Sequence, residues 1–183
     1  MITIRKLQPE DRAAVYEILQ QTDMFTMAEV NVAMELIDTY LFNKEQRDYL
    51  VYAAVAESGQ VAGYVCFGPT PATEGTFDLY WIAVAPAMQN QGVGKQLLQF
   101  VEEYVKSQNG RLIIIETSSQ KKYLPTQQFY LRNNYTVEAR IKDFYRPGDD
   151  RLIFAKRLNA MPEGGQTPHG RLAATTAAEH HQR

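Results

Sequence analysis

The sequence Gln89-Asn90-Gln91-Gly92-Val93-Gly94 joins an apolar segment to an amphipathic one and places two glycines at the junction. Glycine has no Cβ atom, so Gly92 and Gly94 can adopt unusual φ values and expose their N–H groups. At the start of a helix, free N–H groups and the helix dipole together favour a bound anion. Lys95 in the first helical turn opposes that dipole unless an anion is present. These residues therefore predict an anion-binding turn.

The segments around this turn predict a strand–helix–strand unit. Residues 76–84 form a mostly apolar run, and residues 92–108 carry apolar side chains at helical spacing. Residues 111–116 are continuously apolar between their two charged ends, which is typical of a strand covered on both faces. Because one crossover helix connects the two strands, we expect them to be parallel.

Two common nucleotide-binding turns are excluded by single residues. A P-loop needs Gly, four residues, Gly-Lys and then Ser or Thr. Here Gln89 stands in place of the first glycine and Gln96 in place of the hydroxyl residue. The dinucleotide-binding turn needs a third glycine, and Leu97 stands there. The anion is therefore expected to belong to another cofactor.

The rest of the chain predicts an α/β (α+β) fold, in which a mixed central sheet of about seven strands carries helices on both faces. The expected element order is β-α-α-β-β-β-α-β-α-β-β, and residues 137–142 alternate as in a half-exposed strand. This domain is expected to span residues 1–158. Residues 159–183 have no apolar period and are predicted to be a disordered tail.

Composition excludes several classes of function. A net charge of −2 argues against a nucleic-acid partner. The single cysteine, Cys66, excludes an internal disulfide and a Cys-rich zinc site, and we expect no metal. The N-terminus lacks a signal-peptide pattern and no apolar run reaches the length of a membrane span, so a cytoplasmic protein without membrane contact is expected.

The turn and its context resemble the coenzyme A signature of the GNAT superfamily of N-acetyltransferases. That signature reads Gln or Arg, two residues, Gly, one residue, then Gly or Ala, and residues 89–94 match it in full. The resemblance extends in element order over residues 2–158 and indicates a single-domain, bacterial-type member. It implies transfer of an acetyl group from acetyl-CoA to a primary amine by direct attack in a ternary complex. A non-catalytic acyl-CoA sensor and an enzyme that uses a longer acyl-CoA are the alternatives.

The resemblance also implies a set of cofactor contacts. The backbone of residues 82–84 would bind the pantetheine arm, and one of its N–H groups would polarise the thioester carbonyl. The turn and Lys95 would hold the pyrophosphate. The expected cofactor-binding residues are Ile82, Ala83, Val84, Gln89, Asn90, Gln91, Gly92, Val93, Gly94, Lys95 and Tyr130.

Three residues are candidates for catalysis by the same resemblance. The leaving thiolate is usually protonated by the tyrosine of a pattern that reads Phe-Tyr, three residues, Gly or Asn, and an aromatic residue. Residues 129–135 match, so Tyr130 is the expected general acid, with a packing role as the alternative. In the histone acetyltransferases of the superfamily the base lies 14 residues before the first loop glycine, which here is Asp78. Glu116, at the end of the second parallel strand, is the other candidate base.

The acceptor site of similar enzymes is lined by the first helix pair and the last hairpin. In this chain these are residues 24–27, Glu35, Asp38 and residues 143–149. Their aromatic and acidic side chains suit a cationic amine, although ordinary hairpin packing would use them too. A small-molecule amine and a peptide amine both remain open as acceptors. Homodimers are common among similar proteins, so a homodimer is a further expectation.

Overall fold

The computed structural model describes residues 1–158, which form seven strands and four α-helices. The strands are β1 (Ile2–Lys6), β2 (Leu50–Ala56), β3 (Val61–Pro69), β4 (Thr76–Val84), β5 (Leu112–Ser118), β6 (Thr136–Arg146) and β7 (Asp149–Arg157). The helices are α1 (Arg12–Gln21), α2 (Met27–Phe42), α3 (Val93–Ser107) and α4 (Leu124–Arg132). The predicted tail, residues 159–183, lies outside the described residues.

The strands form one sheet in the order β1-β2-β3-β4-β5-β7-β6. β4 and β5 are parallel, and every other neighbouring pair is antiparallel. The crossover through α3 therefore confirms the predicted strand–helix–strand unit. The mixed sheet, its seven strands and the element order agree with the sequence prediction.

Helices cover the two faces of the sheet in pairs. On one face α3 and α4 pack over the sheet, and Leu97 and Val101 of α3 are completely buried against β-strand residues such as Ile113. On the other face α1 and α2 cover β2, β3 and β4, and Val15 and Ile37 are completely buried there. Each buried aliphatic side chain contributes about 1.5–3 kcal/mol. The helical spacing of these residues is what directs them to one face.

Polar contacts fix the α1–α2 pair at its start and middle. Thr26 and Glu29 form a reciprocal cap at the start of α2, with the Thr26 N–H donating to Glu29 Oε2 at 2.7 Å. The Arg12 guanidinium donates to both carboxylate oxygens of Asp38, at 2.6 and 2.8 Å. This hydrogen-bonded pair holds the pKa of Asp38 below its usual value. Asp38, which was expected in the acceptor site, thus joins the two helices.

Strand β6 differs from its prediction. The alternation of Val137, Ala139 and Ile141 predicts a half-buried strand, but all eleven residues of β6 are exposed. The reason is its position, because β6 is the last strand of the sheet and pairs with β7 alone. Alternation identifies a strand, whereas burial depends on which strand or helix covers it.

A buried ion pair ties α3, α4 and β7 together. Lys156 Nζ on β7 lies 2.8 Å from an oxygen of Glu102 on α3 and donates to Asn133 O, after α4, at 3.0 Å. Glu102 is 9% exposed, so its charge is largely shielded from water. A carboxylate in that position is costly unless its partner is present.

We therefore expect Lys156→Met to destabilise the fold by roughly 3 kcal/mol, since it leaves the Glu102 carboxylate unpaired. Urea unfolding of the wild type and the variant measures this difference. The matched control is Arg157→Met on the same strand as Lys156. It removes the exposed pair with Glu138 of β6 and should change stability little. Equal effects of the two substitutions would contradict the assignment.

Candidate active site

The parallel strands β4 and β5 pair at one end and separate at the other. Their register runs from Thr76–Leu112 to Leu79–Ile115 and stops there, although both strands continue. The next residue of β4, Tyr80, has no partner on β3, because Cys66 pairs with Trp81 and Phe67 pairs with Leu79. Such a bulge bends a strand and ends regular pairing. A gap between β4 and β5 therefore opens after Leu79.

Backbone groups of β4 face this gap. The Ala85 N–H donates to Ala62 O on the β3 side at 2.8 Å. Because hydrogen-bonding direction alternates along an antiparallel strand, the N–H of Ala83 also points to β3, whereas those of Ile82 and Val84 point to the gap. Of the three predicted pantetheine contacts, Ile82 and Val84 thus offer their backbone to a ligand.

The turn after β4 has the conformation that its glycine predicts. Asn90 and Gly92 have φ values of 59° and 81°, and Gly92 immediately precedes the first residue of α3. The Gln89 side chain donates to Val84 O at 3.2 Å and the Gln91 side chain to Ala87 O at 3.0 Å, which fastens the turn to the end of β4. These contacts give the first glutamine of the signature a structural role.

The first turn of α3 supplies donors for an anion. Its first helical hydrogen bond runs from the Gln96 N–H to Gly92 O, at 3.0 Å. The N–H groups of Val93, Gly94 and Lys95 precede it and have no acceptor within the helix. The Lys95 side chain is exposed beside them. An anion at this helix end would meet three backbone donors and the positive end of the dipole.

The two candidate bases lie on one face of the sheet. Side chains alternate along a strand, and Leu79 and Ile115 belong to the core under α3 and α4. Asp78 and Glu116 therefore face the α1–α2 side. They meet in a cavity of about 250 Å³ beside the gap. Its lining consists of Asp78, Leu79, Tyr80, Ile114 and Glu116.

Asp78 is half-buried in this cavity and holds one hydrogen bond. Thr70 Oγ1 donates to Asp78 Oδ2 at 2.6 Å. Tyr80 lies next to it, and its pKa is raised to about 12 by burial and then by the Asp78 carboxylate. The phenol of Tyr80 therefore remains protonated at neutral pH and is a hydrogen-bond donor for a ligand.

Glu116 is held by a cation that the sequence did not indicate. Its carboxylate pairs with Arg151 of β7, and the Arg151 guanidinium lies 4.7 Å from the centre of the Phe144 ring. The pairing depends on the register between β5 and β7, which places Ser118 opposite Arg151 and Glu116 opposite Ile153. A single sequence carries no signal for that register.

Tyr130 lies on the other face of the sheet from Asp78 and Glu116. It is 3% exposed, and its ring packs against Phe154 and Tyr135 at centroid distances of 5.6 and 6.0 Å. Burial raises the pKa of its phenol, so the side chain keeps its proton at neutral pH. Asn134 has a φ of 65°, which explains why the pattern after Tyr130 needs Gly or Asn.

The predicted acceptor residues are only partly brought together. Tyr123, just before α4, donates to Met24 O at 3.0 Å and so joins the α1–α2 connection to the β5–α4 connection. Asp149 accepts from Ser118 Oγ and, at 2.5 Å, from Gln120 Nε2. Glu35 is exposed on α2. Sequence reasoning missed Tyr123, since no motif marks it.

A second cavity, of about 430 Å³, lies near the N-terminus of the chain. Met1, Glu57 and Gln96 line it, together with Gln91 and Val93 of the turn. It is larger than the cavity beside the gap but contains none of the three catalytic candidates. The smaller cavity beside the gap is lined by two of them, Asp78 and Glu116.

The separated parallel strands, the turn and the helix after it define this chain as an acyltransferase of the GNAT class. The chain belongs to the acetyltransferase (GNAT) family, whose model matches residues 12–135. The chain is also similar to the crystal structure of a GNAT-family acetyltransferase from Desulfovibrio desulfuricans, with 42% sequence identity and a TM-score of 0.83. That match covers 87% of this chain and 100% of the other. No curated protein sequence gives a significant match.

More distant structures share the fold. The ribosomal-protein-S18-alanine N-acetyltransferase of Escherichia coli is 21% identical with a TM-score of 0.69, over 91% of this chain and 100% of that chain. The yncA structure from Salmonella typhimurium, solved with its cofactor acetyl-CoA, is 19% identical with a TM-score of 0.67, over 91% of this chain and 99% of that chain.

Within residues 1–158, no helix has both the length and the apolar character that crossing a membrane requires.

If the turn at residues 89–94 holds the cofactor, a substitution at Gly92 should prevent cofactor binding. Gly92→Glu should abolish the stabilisation of the protein by acetyl-CoA, because it adds a negative charge and a strained left-handed residue beside the helix end. Thermal denaturation with and without acetyl-CoA measures this. At 100 times Kd, a ligand stabilises the native state by about 2.7 kcal/mol.

The matched control for this test is Gly148→Glu in the β6–β7 turn. Gly148 has a φ of 79°, and a Cβ there meets no atom within 4 Å, so the strain is the same without the anion site. This variant should keep the full acetyl-CoA shift. A normal shift with the Gly92 variant would show that the turn does not hold the cofactor.

Proposed function

We propose that this chain transfers the acetyl group of acetyl-CoA to a primary amine by direct attack in a ternary complex. The observation that carries the proposal is the gap between β4 and β5, which opens beside three free helix N–H groups and between two chemically different faces. The family assignment supports acetyl transfer, and the residues at the gap supply the steps.

The cofactor arm would complete the sheet where β5 leaves it. The backbone of Ile82 and Val84 faces the gap and can pair with an extended pantetheine chain, as an added strand would. The N–H groups of Val93, Gly94 and Lys95 would receive the pyrophosphate. Bound in this way, the thioester carbonyl lies close to a β4 N–H group, which stabilises the negative charge that develops on its oxygen.

The two faces of the gap would divide the proton transfers. Glu116 is the first residue of β5 beyond the last strand pair, so its carboxylate lies at the opening of the gap. It would take the proton of the acceptor ammonium, directly or through one water. Asp78 pairs within the closed part of the sheet and would bind that ammonium before reaction. Tyr130 on the opposite face would protonate the leaving thiolate.

Direct attack is supported by the state of the one cysteine. Cys66 is completely buried in β3, and burial raises the pKa of its thiol to about 12. A protonated, inaccessible thiol cannot serve as an acyl carrier. The amine nitrogen would therefore add directly to the acetyl carbon, the carbon–sulfur bond would then break, and CoA would leave as the thiol after Tyr130 protonates its sulfur.

The first experiment is a screen of donors and acceptors. Thiol release is measured with acetyl-CoA and longer acyl-CoAs against a panel of amines: a peptide that begins with alanine, free L-amino acids and spermidine. Alanine is included because the E. coli neighbour acts on an alanine of S18. We expect acetyl-CoA to be the best donor and at least one amine to accelerate thiol release. Binding of acetyl-CoA without transfer to any amine would indicate a sensor.

Replacement of Tyr130 by Phe should lower kcat by about 10²–10⁴-fold, because the leaving thiolate loses its acid. The affinity for acetyl-CoA, measured by calorimetry, should change little. Phe fills the same space among Phe154 and Tyr135, so the fold should be kept. Equal losses in turnover and affinity would make Tyr130 a binding residue instead.

The two carboxylates should give different kinetic signatures. Glu116→Gln removes the base and should lower kcat by at least about 10²-fold. Asp78→Asn weakens binding of the ammonium and should mainly raise KM for the amine. Steady-state kinetics with the best amine of the panel separates the two effects. The reverse pattern would assign the base to Asp78.

A further inference from the structure

Arg151 is not among the residues predicted to bind the cofactor, to catalyse or to bind the acceptor, yet it contacts the proposed base Glu116. It lies on β7, on the same face of the sheet as Glu116, and its side chain is 24% exposed. Its guanidinium pairs with the Glu116 carboxylate. Glu116 also lines the cavity with Asp78, so the ion pair lies beside the space where an amine would bind.

The environment of Arg151 differs from that of a typical surface ion pair. One side of its guanidinium is covered by the Phe144 ring of β6, at 4.7 Å from the ring centre. Its Nε atom is buried, and no acceptor for it exists among residues 1–158. A buried donor without a partner costs free energy. The Glu116 side chain of the pair is 41% exposed, so the ion pair itself contributes little to stability and does not explain the cost of the buried Nε atom.

Other arginine pairs of the fold have a clear structural purpose. Arg5 binds both oxygens of Asp11, between β1 and the turn before α1, and Arg12 binds both oxygens of Asp38, between the first two helices. In each of these pairs the carboxylate belongs to packed secondary structure. Glu116 instead presents its carboxylate to a cavity, at the position where the strands part.

We propose that Arg151 is a positioning residue for Glu116, and that Phe144 in turn fixes Arg151. A glutamate at a strand end has several rotamers, and a planar guanidinium held against a ring restricts the carboxylate to one of them. Arg151 keeps its proton throughout and transfers none. Glu116 accepts the ammonium proton through its free oxygen, while the other oxygen stays on Arg151.

This inference rests on the proposed acetyl transfer and adds a requirement to it. The β6–β7 hairpin must be in place for the base to be in place, since it supplies both Phe144 and Arg151. Misplacement of a catalytic group by about 1 Å can lower the rate by roughly 10²-fold. The effect of Arg151 on turnover should therefore pass entirely through Glu116, which a double-mutant cycle measures.

The experiment compares Arg151→Met, Glu116→Gln and the double variant. Thiol release from acetyl-CoA is measured with each amine of the panel named above. Arg151→Met should lower kcat roughly ten- to hundredfold with the affinity for acetyl-CoA unchanged. In the Glu116→Gln background the same change should cause less than about a twofold further loss. Arg151→Lys keeps the charge without the planar fork and should restore part of the activity.

The control is Arg157→Met on the same strand as Arg151, which breaks the exposed pair with Glu138 of β6. It should leave turnover unchanged. Two results would overturn the positioning role in a wild type that acetylates an amine. One is an equal loss of kcat from Arg151→Met in the wild-type and Glu116→Gln backgrounds, and the other is the same loss of kcat from Arg157→Met. If the wild type acetylates none of the amines of the panel, the proposed function is refuted, and this inference with it.

Discussion

The structure depends on one feature of strand pairing, the end of the β4–β5 ladder after Leu79 and Ile115. Both strands continue beyond that point, so the backbone groups of Ile82 and Val84 lie in the middle of a sheet without a strand to pair with. Unpaired backbone groups inside a fold must find another partner. The bulge at Tyr80 bends β4 and keeps the gap open. The turn at residues 89–94 follows β4, and the cavity lined by Asp78 and Glu116 lies beside this opening.

The gap connects two environments with opposite properties. On the α3–α4 face Tyr130 lies among aromatic rings, where burial keeps its phenol protonated. On the α1–α2 face Asp78 and Glu116 border a cavity that contains charged and hydroxyl groups. Direct transfer needs an acid near the leaving sulfur and a base near the attacking nitrogen, on different sides of the reacting carbon. In the proposed transfer, the gap would let a group from each face of the sheet act on the reacting carbon, with the strands separating the two groups elsewhere.

Local signals predicted the element order, the parallel strand pair and the turn, but not the partners of the candidate site residues. The turn at 89–94, the helix after it and the parallel pair follow from residues close together in sequence, and Asn134 in the left-handed region explains the pattern after Tyr130. The wrong prediction, the half-buried β6, and the contact that was not predicted, Glu116–Arg151, both depend on residues far apart in sequence. The complete exposure of β6 follows from its place at the sheet edge, and the Glu116–Arg151 pair follows from the β5–β7 register. Neither edge position nor register is encoded in a periodicity of two.

In the proposed site, the cofactor and the acceptor would be bound by different kinds of groups. The cofactor would be held by main-chain groups in the gap and at the start of α3, which depend on the bulge and on Gly92. The acceptor would be bound and activated by side chains, of which Asp78, Glu116 and Arg151 come from three different strands. Main-chain sites survive large changes in sequence, whereas side-chain sites change with single substitutions. Structures only 19–21% identical to this chain share its fold, and a shared fold does not determine the acceptor.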